Sequence, residues 1–231
     1  MSVDAQPRRC GGATAGRWGA IPHRRLLDAV AAAVPADRLP RVETATVTHL
    51  LRPVPWQRRS GLVSLVSTAY PALAHRVATV VDGEFPGVRI ATTARMSGRD
   101  DRDRFDVLVP SGRADEVLGW LARLWQTAAE QVGPHARPGL RTPAARTMWR
   151  AALLVANGSR RRSQVRVRVP DPAALTALTQ AGDALGLAVH QHVRRGNSYF
   201  VTVDDPAQSV QLLRIVGAGP HAEAWVRDTA A

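Results

Sequence analysis

Arginine occupies positions 160, 161 and 162 and then recurs at alternate residues, Arg166 and Arg168, with Gln164 in the same phase. Successive side chains of an extended chain point to opposite faces. Gln164, Arg166 and Arg168 therefore share one side of a strand whose other side is Val165, Val167 and Val169. A guanidinium is a permanently charged planar fork of N–H donors that fits paired phosphate oxygens, so this face suits non-covalent binding of a polyanion. A later segment repeats the phase: His190, His192 and Arg194 alternate with Val189 and Val193, and Arg195 follows at the turn Arg195-Gly196-Asn197. Two histidines at i, i+2 could also approach a metal ion from one face. Zinc sites need at least a third protein ligand, and the sequence offers none nearby, so no metal or other cofactor is expected.

Overall charge agrees with that chemistry. The 231 residues carry 31 basic and 19 acidic side chains, a net charge of +12, and every basic residue is arginine. Genome composition can favour arginine over lysine, but it does not account for the surplus of positive charge; a nucleic-acid partner does. The single cysteine, Cys10, excludes an internal disulfide and a multi-cysteine metal site. No apolar run approaches the roughly 20 residues of a membrane span, so a cytoplasmic, nucleoid-associated protein without membrane contact is expected.

The elements that must position these side chains come in two similar sets. After an N-terminal arm and short helix (1–40), the pattern predicts a first unit (41–132) with a helix over 42–52, a strand over 61–67 and a helix over 71–81. A hairpin over 88–95 and 104–109 and a helix over 113–127 complete it. A Gly/Pro/Arg-rich linker (133–142) separates this from a second unit (143–231). There the predicted elements are a helix over 143–157, a strand over 164–169, a helix over 172–185, a hairpin over 188–194 and 198–203, and a helix over 206–216. Thr142-Pro143, Asp171-Pro172 and Asp205-Pro206 each offer an N-cap before a proline at the first helical position. Two equivalent units imply a pseudo-two-fold arrangement. If the first unit mirrors the second, Arg89 and Arg95 with the loop pair Arg58 and Arg59 continue the cationic surface. The tryptophans Trp120, Trp125, Trp149 and Trp225 lie in apolar stretches and are expected to pack in the core, while Trp56, beside Arg58, is an interface candidate.

The stretch WRAALLVANGSRRRSQVRVRVPDPAALTALTQAGDALGLAVHQHVRRGNSYFVTV, followed by LLRIVGAGPHAEAW, resembles the LAGLIDADG-type domain of WhiA, a bacterial regulator of sporulation and cell division. HLLRPVPWQRRSGLVSLVSTAYPALAHRVATVV resembles the first half of the same domain. The resemblance implies an α+β, homing-endonuclease-like fold: two halves, paired motif helices, and curved antiparallel sheets that cradle duplex DNA in the nucleases. It also implies contacts with a WhiB-type regulator or RNA polymerase. The helix-turn-helix domain that follows in WhiA has no counterpart before Ala231.

In the nucleases of this type, the last acidic residue of each motif holds a divalent metal at the scissile phosphate. Aligned on Ala156-Asn157-Gly158-Ser159, that position is Asn157, and in the first motif it falls near Pro55. No Asp or Glu occurs between Glu43 and Asp82 or between Glu130 and Asp171. Hard cations such as Mg²⁺ prefer carboxylate and water ligands, which an amide and a proline do not replace. The expectation is a DNA-binding, non-enzymatic regulatory or accessory protein. A protein-interaction module contacting a transcription regulator or RNA polymerase is the alternative.

Overall fold

The computed structural model describes residues 41–52, 58–59, 61–93, 104–156, 165–196, 198–219 and 222–223. Its first unit consists of α1 (Arg41–Leu50), a two-residue strand β1 (Arg58–Arg59), β2 (Leu62–Thr68), α2 (Pro71–Glu84), β3 (Arg89–Thr93), β4 (Arg104–Pro110) and α3 (Ala114–Val132). The second consists of α4 (Pro138–Val155), β5 (Val165–Val169), α5 (Pro172–Ala184), β6 (His190–Arg194), β7 (Ser198–Val203) and α6 (Pro206–Ile215). Each unit forms its own antiparallel sheet, in the order β1-β2-β4-β3 and β5-β7-β6. The helix, strand, helix, hairpin, helix order expected from the sequence is thus present twice.

Local signals account for two of the helix starts and for the β6–β7 turn. Asp171 accepts the backbone N–H of Ala174 at 2.8 Å, and Asp205 accepts those of Ala207 and Gln208 at 2.7 and 3.4 Å. Proline follows each cap at a position where no N–H is needed. Gly196 has φ of 79°, the left-handed conformation that the β6–β7 turn requires. The third cap signal behaves differently. α4 starts at Pro138, inside the expected linker, and runs through Pro143. Arg137 carbonyl accepts from Leu140 and Arg141 and starts the extra turn. The missing Pro143 N–H removes a single ladder bond, and the burial of Ala144, Ala145, Met148 and Trp149 just beyond it outweighs that loss. Similarly, α3 outruns its predicted end at 127 because Ala128 and Val132, both fully buried, extend its apolar stripe.

The core lies between the helices and the inner faces of the sheets. Val165, Val167 and Val169 are buried from β5, and Val201 and Val203 from β7. Met148, Trp149, Ala151 and Ala152 are buried on α4, which packs against α1, α3 and α5. Buried alanines allow that close approach, as expected for a pair of motif helices. Threonines do the same on α1, because Thr46 and Thr48 donate their hydroxyls to the carbonyls of Val42 and Thr44 at 2.7 and 2.8 Å and so remain satisfied when buried.

Between the helices lies a buried ionic cluster. Glu43 on α1 is 1% exposed; its Oε2 is 3.2 Å from Arg150 Nε on α4 and its Oε1 is 3.5 Å from Arg76 Nη2 on α2. Burial pushes the Glu43 carboxyl above its usual range, against the pull of Arg150 and then Arg76, and lowers both guanidiniums. A second polar contact joins the units. His49, near the end of α1, stacks on Trp125 of α3 with ring centroids 4.2 Å apart and 9° between planes, and its Nε2 is 3.1 Å from Asp171 Oδ2. Burial lowers the His49 pKa, with Asp171 opposing the shift and Arg52 adding to it.

Two predictions follow from these contacts. Glu43→Gln removes the one negative charge between two buried guanidiniums and is expected to lower stability by about 3 kcal/mol in urea unfolding. Simultaneous replacement of Glu43, Arg76 and Arg150 by Met or Leu should recover most of the loss, because no desolvated charge remains. For His49, the unfolded chain takes up a proton as pH falls through about 6.5, whereas the folded imidazole does so only at lower pH. Stability from this group is therefore present above pH 6.5 and is lost on acidification below it. His49→Phe, which keeps the stack, should reduce the drop in urea midpoint between pH 7.5 and 5.5; an unchanged drop would contradict this assignment.

Candidate nucleic-acid interface

The outer face of the second sheet is set by strand register. Arg166 pairs with Thr202 and Thr202 with His190; Arg168 pairs with Phe200 and Phe200 with His192; Ser198 pairs with Arg194. Because Val167 and Val201 face the core, all eight of these side chains lie on the opposite side of the pleat. Arg168, His190, His192 and Arg194 are exposed, as is Arg195 at the turn, while Arg166 is half-buried. The Arg166 guanidinium carbon is 3.9 Å from the centroid of the Phe200 ring, and that of Arg194 is 5.4 Å away. His192 Nε2 lies 2.9 Å from Thr202 Oγ1. The strands thus bring together Arg166, Arg168, His190, His192 and Arg194, with no carboxylate on their shared face. Arg160, Arg161, Arg162 and Gln164 lie outside the described residues.

Phe200 was not singled out from the sequence, although the signal was present. Ser198, Phe200 and Thr202 alternate with Tyr199, Val201 and Val203, so pairing β7 with β5 places the ring among the arginines.

The first sheet has equivalent ladder positions but not equivalent chemistry. Ser64 pairs with Leu108 and Leu108 with Arg89; Ser67 pairs with Asp106 and Asp106 with Ala91. Serines stand where β5 carries Arg166 and Arg168, and Asp106 stands where β7 carries Phe200. Arg104 is spent internally: its Nε donates to Ser67 Oγ at 2.9 Å and its Nη2 to Ser67 O at 2.6 Å. Of the expected mirror-image cations, Arg89 is exposed on this face. Arg58 and Arg59 form β1, paired with Val63 and Leu62. Arg95 lies outside the described residues, as does Trp56. Among the described side chains the two sheets differ: the second gathers several cations on its outer face, whereas the first shows Arg89 with serines and Asp106 at the equivalent ladder positions. Repeated backbone geometry transmits register but not side-chain identity.

The ends of the paired helices can also be aligned. Leu51 N–H bonds to Val47 O and Ala156 N–H to Ala152 O, each at 2.9 Å, closing α1 and α4 in the same way. The residue that follows is Arg52 in the first unit and Asn157, outside the described residues, in the second. The position expected near Pro55 lies outside the described residues; α1 ends at Leu50, earlier than its apolar pattern suggested, and Pro53 disfavours helix in the residue before it. Arg52, with Ala45, His49, Leu118, Leu121 and Trp125, lines a cavity of about 260 Å³ between α1 and α3. Among the described residues, no group of three or more His, Cys, Asp or Glu side chains is placed to hold a metal ion. Nor is any described helix long and apolar enough to cross a membrane.

No protein-family model matches the chain, and no curated protein matches it in sequence. Similarity appears in structure. Full-length DUF199/WhiA from Thermatoga maritima superposes with a TM-score of 0.57 at 11% identity, over 90% of this chain and 65% of that one. This chain thus spans 65% of the length of that relative. The N-terminal LAGLIDADG domain of DUF199/WhiA gives 0.53 at 9% identity, over 85% and 90% of the two chains. I-DmoI in complex with DNA and Mn gives 0.50 at 12% identity, over 76% and 96%. Two helix-sheet units, a central pair of helices and two antiparallel sheets are common ground, and the chain is a protein of the LAGLIDADG fold, similar in structure to the LAGLIDADG domain of WhiA.

Proposed function

We propose that this protein binds duplex DNA through the outer face of its second sheet, does not cleave it, and acts as a regulatory or accessory factor of the kind to which WhiA belongs. The observation that carries this reading is the acid-free face of Arg166, Arg168, Arg194, His190 and His192, on a fold in which I-DmoI has been determined with DNA. Arginine on a sheet can reach phosphates and the edges of bases in the major groove, which is wide enough for β-structure. Loss of cleavage is supported by the helix ends. By sequence, a cation (Arg52) follows α1 and a neutral amide (Asn157) aligns with the acid of the second motif, and neither replaces the carboxylates that metal-assisted phosphodiester cleavage needs.

A mobility-shift titration at several salt concentrations tests the binding. Three phosphate contacts from Arg166, Arg168 and Arg194 would give a log–log salt slope of about −2.7, since each contributes about 0.9. Arg166→Ala with Arg168→Ala should weaken binding and make the slope shallower by about 1.8, while the melting temperature stays close to that of the parent. Unchanged affinity would remove the second sheet as the contact surface. The cleavage half of the proposal is tested separately, with supercoiled plasmid and Mg²⁺ or Mn²⁺. Intact plasmid is expected, and nicked product that vanishes with EDTA would overturn it.

A second reading, contact with a WhiB-type regulator or RNA polymerase, draws on Val193. This residue is 65% exposed on the edge strand β6, on the sheet side opposite the arginines. Absence of DNA binding even at low salt would favour it.

A further inference from the structure

The centre of the cationic face is an aromatic ring, and phosphate binding alone gives no reason for one. Phe200 sits on the middle strand of a three-stranded sheet, with Arg168 and His192 directly opposite on either side and the Arg166 and Arg194 guanidiniums 3.9 and 5.4 Å from its ring. Every charged or titratable neighbour of the ring on this face is itself a planar π group. In a duplex, bases are stacked on one another and show only their edges to a protein. A ring or guanidinium plane gains stacking energy only from a base released from its pair.

We propose that this face also takes unpaired bases, so that the ligand class of the site includes single-stranded nucleic acid, with one base stacked on the Phe200–Arg166 platform. The inference rests on the reading of this face as a nucleic-acid surface and names what it recognises there. Arg166 is half-buried and held against the ring, and a guanidinium in such a stack can share the aromatic surface with a base. Exposed Arg168 and Arg194 flank the ring along the sheet and can follow the strand on either side. His190 and His192 extend the planar surface along β6, and the Thr202 contact holds the His192 ring in place. At the matching position of the first sheet stands Asp106 in place of a ring, so among the described residues the aromatic platform belongs to the second unit.

Fluorescence anisotropy with the full chain tests the inference. The probes are a 12-nucleotide single-stranded DNA, the RNA of the same sequence, and the corresponding 12-base-pair duplex, the first two carrying 2-aminopurine in a second experiment. Both the duplex and at least one single strand should bind, and the DNA and RNA arms show which backbone is preferred. Phe200→Leu keeps an apolar side chain but removes the π face. It should lower single-strand affinity by about tenfold, a loss at least about fivefold greater than for duplex, and abolish the stacking-dependent change in 2-aminopurine emission. Phe200→Tyr, which keeps the ring, should retain single-strand binding and serves as the folding control. Duplex binding without single-strand binding, or an equal loss on all three probes in Phe200→Leu, overturns this inference and leaves the duplex reading standing. Failure of every probe to bind overturns both.

Discussion

The structure depends on bringing two helices together although one of them carries a carboxylate into their interface. Glu43 would be too costly to bury by itself. Arg150 from the opposing helix and Arg76 from a third element supply the compensating charge, so α1, α2 and α4 can satisfy it only in one relative placement. The contact is better understood as a positional constraint than as a source of stability, since apolar side chains of the same volume would pack there at less electrostatic cost. The hydroxyls of Thr46 and Thr48, bonded back to the α1 backbone, and the small alanines on α4 do the rest, allowing close approach.

Each paired helix is followed in the chain by the first strands of its unit's sheet. The outer faces of the two sheets then diverge. Identical ladder positions hold Ser64, Ser67 and Asp106 in one unit and Arg166, Arg168 and Phe200 in the other. The inner faces are constrained by packing and remain apolar in both. The outer faces carry no such constraint and have taken on different chemistry. Among the described residues the fold provides two unlike outer faces, one gathering arginines around an aromatic ring, the other carrying serines and Asp106, with Arg104 committed to Ser67.

The proposed division between binding and cutting has the same physical origin. Polyanion binding needs only density of positive charge on an accessible face, which alternating arginines provide at any register that buries the valines. Metal-assisted cleavage needs carboxylates within ångströms of one point, at the ends of two helices. In the sequence Arg52 follows α1, and Asn157 is the residue aligned with the second motif's acid; the proposal that cleavage is lost rests on neither of them being a carboxylate.

Much was legible in the sequence because it follows from short-range rules. Alternation over Val165–Val169 predicts a two-faced strand, Asp171-Pro172 and Asp205-Pro206 predict helix starts, and the repeated element order predicts two units; each depends on residues within a few positions of one another. What depends on distant residues was not legible. Pro143 reads as a helix start until Met148 and Trp149 are seen to be buried, which justifies a helix that runs through it. His49 gains its stack on Trp125 and its contact with Asp171 only when three elements meet. Phe200 becomes part of the arginine face only when β7 is placed between β5 and β6, and the asymmetry of the two sheets emerges only when their ladders are compared. Sequence determined which way each side chain points from its own backbone, because that is local stereochemistry. Tertiary structure alone decided what each one meets there, because pairing and packing join residues that the chain keeps far apart.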